Sequence, residues 1–135
     1  MGRMTANDIE RFFFSKVKEG PLGQEIGGSV YRSEMRPDGS RAEDIVVKFI
    51  SGMDGQEQTG VVIVNVYVPD VIHDGRMVAD DARIGELESL AGDLPGTMNG
   101  ELMYVWSEST PYAVNVEEIK QHAVTVRLNF KLITD

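Results

Sequence analysis

Asp70, His73 and Asp74 fall within five residues of one another and are ligand types for zinc, manganese or iron. Glu101 and His122 are further donors available to complete such a set. A small metal-dependent hydrolase using these groups is the enzymatic reading of the chain. Against it, no HExxH-like spacing is present, and the chain has only two histidines. Turn chemistry accounts for each residue without a ligand: Asp70 follows Pro69, and Asp74-Gly75 is a common turn dipeptide. The expectation is therefore no metal, no cofactor and no catalytic residue.

Other chemistry fares no better. Ser15, Ser29, Ser33, Ser40, Ser51, Ser89, Ser107 and Ser109 include no GxSxG elbow. Asp80-Asp81 and Glu117-Glu118 are adjacent pairs, and adjacent side chains diverge on a helix or strand, so they define no shared acid–base site. Tyr104, Trp106 and Tyr112 suit a stacking platform, but aromatics in neighbouring strands more often serve a core or a subunit contact. The glycine-rich stretch PLGQEIGGS lacks the lysine of a phosphate loop and the strand–GxGxxG–helix setting of a dinucleotide site. Cysteine is absent, which excludes disulfides, thiolate metal sites and a cysteine nucleophile.

The bulk properties narrow the class further. A chain of 135 residues suits one domain, taken here as residues 1–135. The net charge of −9 opposes binding to nucleic acid, whose affinity comes mainly from neutralising phosphates. The first 18 residues hold no long apolar run, so neither a secretory leader nor a membrane anchor is expected.

The periodicities set out the elements that would position these residues. Thr5-Ala6-Asn7-Asp8 reads as a capping box, and Ile9, Phe12, Phe13 and Val17 follow at helical spacing, predicting a helix near 5–18. Residues 28–36 and 42–50 flank Pro37-Asp38-Gly39-Ser40 and read as a β-hairpin. Residues 51–60 are polar and glycine-containing, and read as a loop. Val61 to Val68 has two nearly apolar faces, predicting a central strand covered on both sides. A second helix near 80–93 begins at Asp80-Asp81, buries Ile84, Leu87, Ala91 and Leu94, turns Arg83, Glu86 and Glu88 to solvent, and ends at Pro95-Gly96. Short strands are expected at 102–106 and around Tyr112 to Val116. A long closing strand in 122–133 alternates Val124, Val126, Leu128, Phe130 and Leu132 with polar residues. The fold class is α+β, a mostly antiparallel or mixed sheet with two helices packed on it.

This order of elements, with the unit VNVYVPD…DDARIGELESL and the terminal TVRLNFKL, resembles the tail-completion or tail-terminator proteins of long-tailed bacteriophages and prophages. The resemblance implies a non-enzymatic virion protein. It would self-associate into a ring, with a hexamer expected, and would meet tail-tube and head-connector proteins. DNA would pass through without specific binding, no membrane would be involved, and assembly would take place in the bacterial host cytoplasm. Contacts would lie on loops, here 51–60 and the 69–79 exit. A generic binding domain unrelated to phage is the remaining alternative.

Overall fold

The computed structural model describes residues 4–55 and 57–133. Helix α1 (Ala6–Glu19) starts as its sequence dictates. The Thr5 hydroxyl accepts from the Asp8 N–H at 3.0 Å, and the Asp8 carboxylate accepts from the Thr5 N–H at 3.2 Å. Its apolar stripe buries Ile9, Phe13 and Val17. The glycine-rich stretch PLGQEIGGS, whose composition suits a loop, begins with a one-turn helix, α2 (Pro21–Glu25), because proline at its start is pre-set for helical φ.

Strands β1 (Val30–Arg32) and β2 (Ile45–Met53) are neighbours, but they run parallel, with Val30 opposite Ile45. The expected hairpin between them is thus overturned. The Pro37–Ser40 turn exists, with Gly39 at φ 76, but it lies within a 33–44 crossover and not at a hairpin tip. A dozen residues is about the shortest connection a parallel pair allows.

The hairpin partner of β2 is β3 (Thr59–Pro69). Ser51, Gly52 and Met53 pair with Val61, Gly60 and Thr59, so both ends of the expected 51–60 loop are ladder and only its middle is loop. β3 then pairs along its whole length with β8 (Gln121–Leu132). β6 (Met103–Trp106) and β7 (Tyr112–Val116) both lie on the far side of β8, one against each half. The order is β1-β2-β3-β8, then β6 and β7. All of these pairs except β1–β2 are antiparallel, which makes an α+β fold with a mixed sheet.

Between β3 and the next helix, β4 (Val71–His73) and β5 (Arg76–Val78) form a separate hairpin. Asp74 and Gly75 adopt φ of 50° and 75°, the two positive values that a tight primed turn requires. Helix α3 (Asp81–Gly92) is capped by Asp80, whose carboxylate accepts from the Arg83 N–H at 3.3 Å. It ends at Gly92, before Pro95, and Pro95 opens a second one-turn helix, α4 (Leu94–Met98).

One face of the sheet carries the core. Val62, Val64, Val66 and Val68 of β3 and Val124, Val126, Leu128, Phe130 and Leu132 of β8 join Phe13, Leu87, Leu94 and Met98 in a single buried cluster. The opposite face behaves differently from expectation. β3 is central, yet Ile63, Asn65 and Tyr67, on the face away from the core cluster, are only half-buried. That face alternates apolar with polar groups: the Thr125 hydroxyl donates to Asn65 at 2.7 Å, and Arg127 is exposed.

Candidate functional site

The suspected ligands do not converge. Asp70 continues β3, and its N–H donates to the Lys120 carbonyl at 3.0 Å. Its carboxylate lies 2.7 Å from His122 Nδ1, and both side chains are largely shielded. His73 and Asp74 lie out on the β4–β5 hairpin, 71% and 85% exposed, with His73 Nε2 3.4 Å from the Asp74 carboxylate. Glu101 is exposed beyond α4. Among the described residues, no group of three or more His, Asp or Glu side chains is placed to hold a metal ion. Asp70 is thus drawn to the start of β8 by the strand register, which pairs Val68 with His122. A sequence reading along the chain sees His73 as the nearer partner.

The polar groups that do converge tie elements together. Asp44, 1% exposed, accepts from the Ser29 N–H at 2.9 Å, the Ser40 hydroxyl at 2.6 Å and Arg36 Nε at 3.0 Å. Arg36 also donates to the Ser40 and Ala42 carbonyls and to Gln121, which is fully buried. Its guanidinium lies 4.1 Å from the centre of the Tyr67 ring. This arginine, with the Gln121 amide donating to the Ser40 carbonyl and Arg41 donating to the Ile119 carbonyl, folds the 33–44 crossover over the end of the open sheet face. Gly28 is required beside it, since a Cβ there would lie 2.2 Å from the Asp44 carboxylate.

A second node corrects the expectation that Arg83 faces solvent. Its guanidinium grips Glu43 with two bonds of 2.8 and 2.6 Å and reaches Glu25 at 2.9 Å. The start of α3 is thereby joined to α2 and the start of β2. Glu43 is held below the usual carboxylate range by its hydrogen bonds with Arg83. In a third node, Glu10 on α1 accepts from the Phe49 N–H, the Ser33 hydroxyl and Arg32. Burial pushes Glu10 and Asp44 up, but their hydrogen bonds outweigh it, and both end below their ordinary values.

These nodes give a pH dependence of stability. A carboxylate whose folded pKa is depressed contributes stability that is full above its unfolded pKa, near 4, and is lost as pH falls through the folded value. The melting temperature is expected to stay level from about pH 7 to about 5 and to fall below about pH 4. In Glu43→Gln the acid-side fall should be shallower. An identical pH profile for the variant would contradict the role given to the Arg83 node.

The open sheet face carries an aromatic surface. Tyr104 and Trp106 stack with centroids 5.3 Å apart, and Tyr104 is 51% exposed. Tyr112 and Val114, on the adjacent β7, are also exposed. Register places all four on the side opposite the core, because Met103, Val105 and Ala113 alternate with them and pack inward. The expected aromatic set therefore lies on one face, where Tyr104 and Trp106 each line a shallow recess, of about 250 and 310 Å³.

Neither a family model nor a curated protein matches the chain. Several solved chains match in structure, among them one with a TM-score of 0.48 and 16% identity over 94% of this chain and 92% of the other. No helix among the described residues is long and apolar enough to cross a membrane.

Proposed function

We propose that the protein is a structural component of a long-tailed bacteriophage or prophage particle. It acts as a tail terminator or head–tail joining protein that closes the head-proximal end of the tail tube as a ring. The observation that carries the reading is the one-sided sheet. Its helix face is sealed, while its other face presents Tyr104, Trp106, Tyr112 and Val114 to whatever lies alongside. Aromatic residues exposed together on a rigid sheet are the composition of a contact surface. The polar clusters, by contrast, are spent on holding elements together. The order of elements supports the phage assignment through its resemblance to tail-completion proteins, and a net charge of −9 suits a channel wall past which DNA slides.

The ring places the protein in the virion, with assembly in the host cytoplasm. Its partners are further copies of itself, the tail tube and the head connector. The test is an electron-microscopy map of tails made with and without the protein. Density for it is expected at the head-proximal end, and tails lacking it should be of abnormal length or fail to join heads. Normal tails that join heads without it would overturn the proposal. Portal, capsid and tail-tube genes beside its own are the accompanying expectation for the phage context.

A further inference from the structure

A groove of about 520 Å³ runs beside α1, floored by Met4, Phe12 and Leu102 and edged by Arg11, Lys16 and Asp8. Elsewhere on the surface, the β4–β5 hairpin exposes Val71, Ile72 and Met77 at 42, 74 and 39%. A two-stranded hairpin is marginal in water by itself, so apolar side chains displayed on one call for a partner.

The two features sit at opposite ends of the same strand. Met4 is bonded to Gln58, immediately before β3, whereas the hairpin leaves just after Pro69. Eleven residues of β3 separate them, about 36 Å at a rise of ~3.3 Å per residue. A hairpin with three-residue strands reaches only about 10 Å and so cannot enter its own groove. The chemistry nevertheless matches. Apolar hairpin residues face an apolar floor, and at the turn the exposed Asp74 carboxylate and Arg76 guanidinium are opposite in sign to Arg11 with Lys16 and to Asp8 at the rim.

We infer that the β4–β5 hairpin of one copy docks in the groove beside α1 of a second copy. The inference rests on the ring reading and names its contacting surfaces. Two different patches meeting head to tail make a heterologous contact, which closes into a cycle when the rotation permits.

The test uses the full chain in sedimentation experiments up to millimolar concentration. Wild type is expected to associate. Ile72→Asp, which spoils the hairpin, and the pair Arg11→Glu with Lys16→Glu, which spoils the rim, should each weaken association at least about tenfold. All three positions are exposed, so the variants should keep the wild-type melting temperature. Mixing the two variants leaves one intact hairpin and one intact groove. A 1:1 dimer that grows no further is then expected. Wild type that stays monomeric, variants that associate like wild type, or a mixture that fails to pair would each overturn the inference. The ring reading would survive any of these if tails carrying the Ile72→Asp protein still showed density at the head-proximal end.

Discussion

Val64→Asp is expected to abolish the folded state. Val64 is fully buried at the centre of β3, opposite Val47 on β2 and Val126 on β8. A carboxylate there would have no partner among the apolar groups of the core. Burying such a group costs several kcal/mol, against a total stability of about 5–15 kcal/mol for a domain. The matched change on the other face of the sheet is Arg127→Gln. Arg127 is exposed and sits one residue from Val126 on β8, so its loss should cost within ~1 kcal/mol. Thermal melts followed by circular dichroism would compare the two. Val64→Asp should show no cooperative transition, and Arg127→Gln should melt close to wild type. Equal melting temperatures would contradict the placement of the core on one face.

The second large effect is expected from Asp44→Ala. Three donors lose their acceptor at once: the Ser29 N–H, the Ser40 hydroxyl and Arg36. The arginine matters most, because its side chain is only 13% exposed and its charge would remain without a carboxylate. Removing one partner of a buried ion pair costs about 3–5 kcal/mol. For a domain of this size that lowers the melting temperature by roughly 10–20 °C. Asp44→Asn, which keeps an acceptor for the Ser29 N–H, should lose less. Hydrogen exchange should also rise in the 33–44 crossover, since Arg36 helps to hold it against Tyr67 and Gln121. A loss under about 1 kcal/mol for Asp44→Ala would mean that the arginine is adequately solvated without its partner.

The parts of the fold that were legible in the sequence are those set by local physics. The capping box and the spacing of Ile9, Phe13 and Val17 determine α1 without help from the rest of the chain. The alternation from Val124 to Leu132 does the same for β8. Pairing between distant segments was less accessible. The Pro37–Ser40 turn looks like a hairpin tip, and only the three-dimensional path reveals that β1 and β2 run in the same direction. Ser51, Gly52 and Met53 have weak strand propensity and enter the ladder because β3 offers them partners. Arg83 follows the same logic: its position on a helix says solvent, but Glu43 and Glu25 arrive from 40 and 58 residues away. As for the candidate metal ligands, period-two alternation already turns neighbouring side chains to opposite faces. The long-range register that brings His122 to Asp70 has no local signal at all.

The two margins of the sheet have a consequence for solubility. On one side β1 offers only three residues. On the other, the chain opposite β8 is broken between β6 and β7 by Ser107-Glu108-Ser109-Thr110-Pro111, and the Ser107 hydroxyl bonds the Arg127 carbonyl in place of a ladder amide. Beyond β1, the β2 edge from Lys48 to Met53 has no strand partner on that side, but Glu10 already takes the Phe49 N–H, so among the described residues the uncovered run is short and interrupted. Long runs of free amides and carbonyls are the templates on which strands of other molecules add end to end, into fibrils or amorphous precipitate. With both templates cut short, copies crowded together at high concentration have little backbone to recruit. Any lasting contact must be made by side chains, whose shapes and charges can choose a partner.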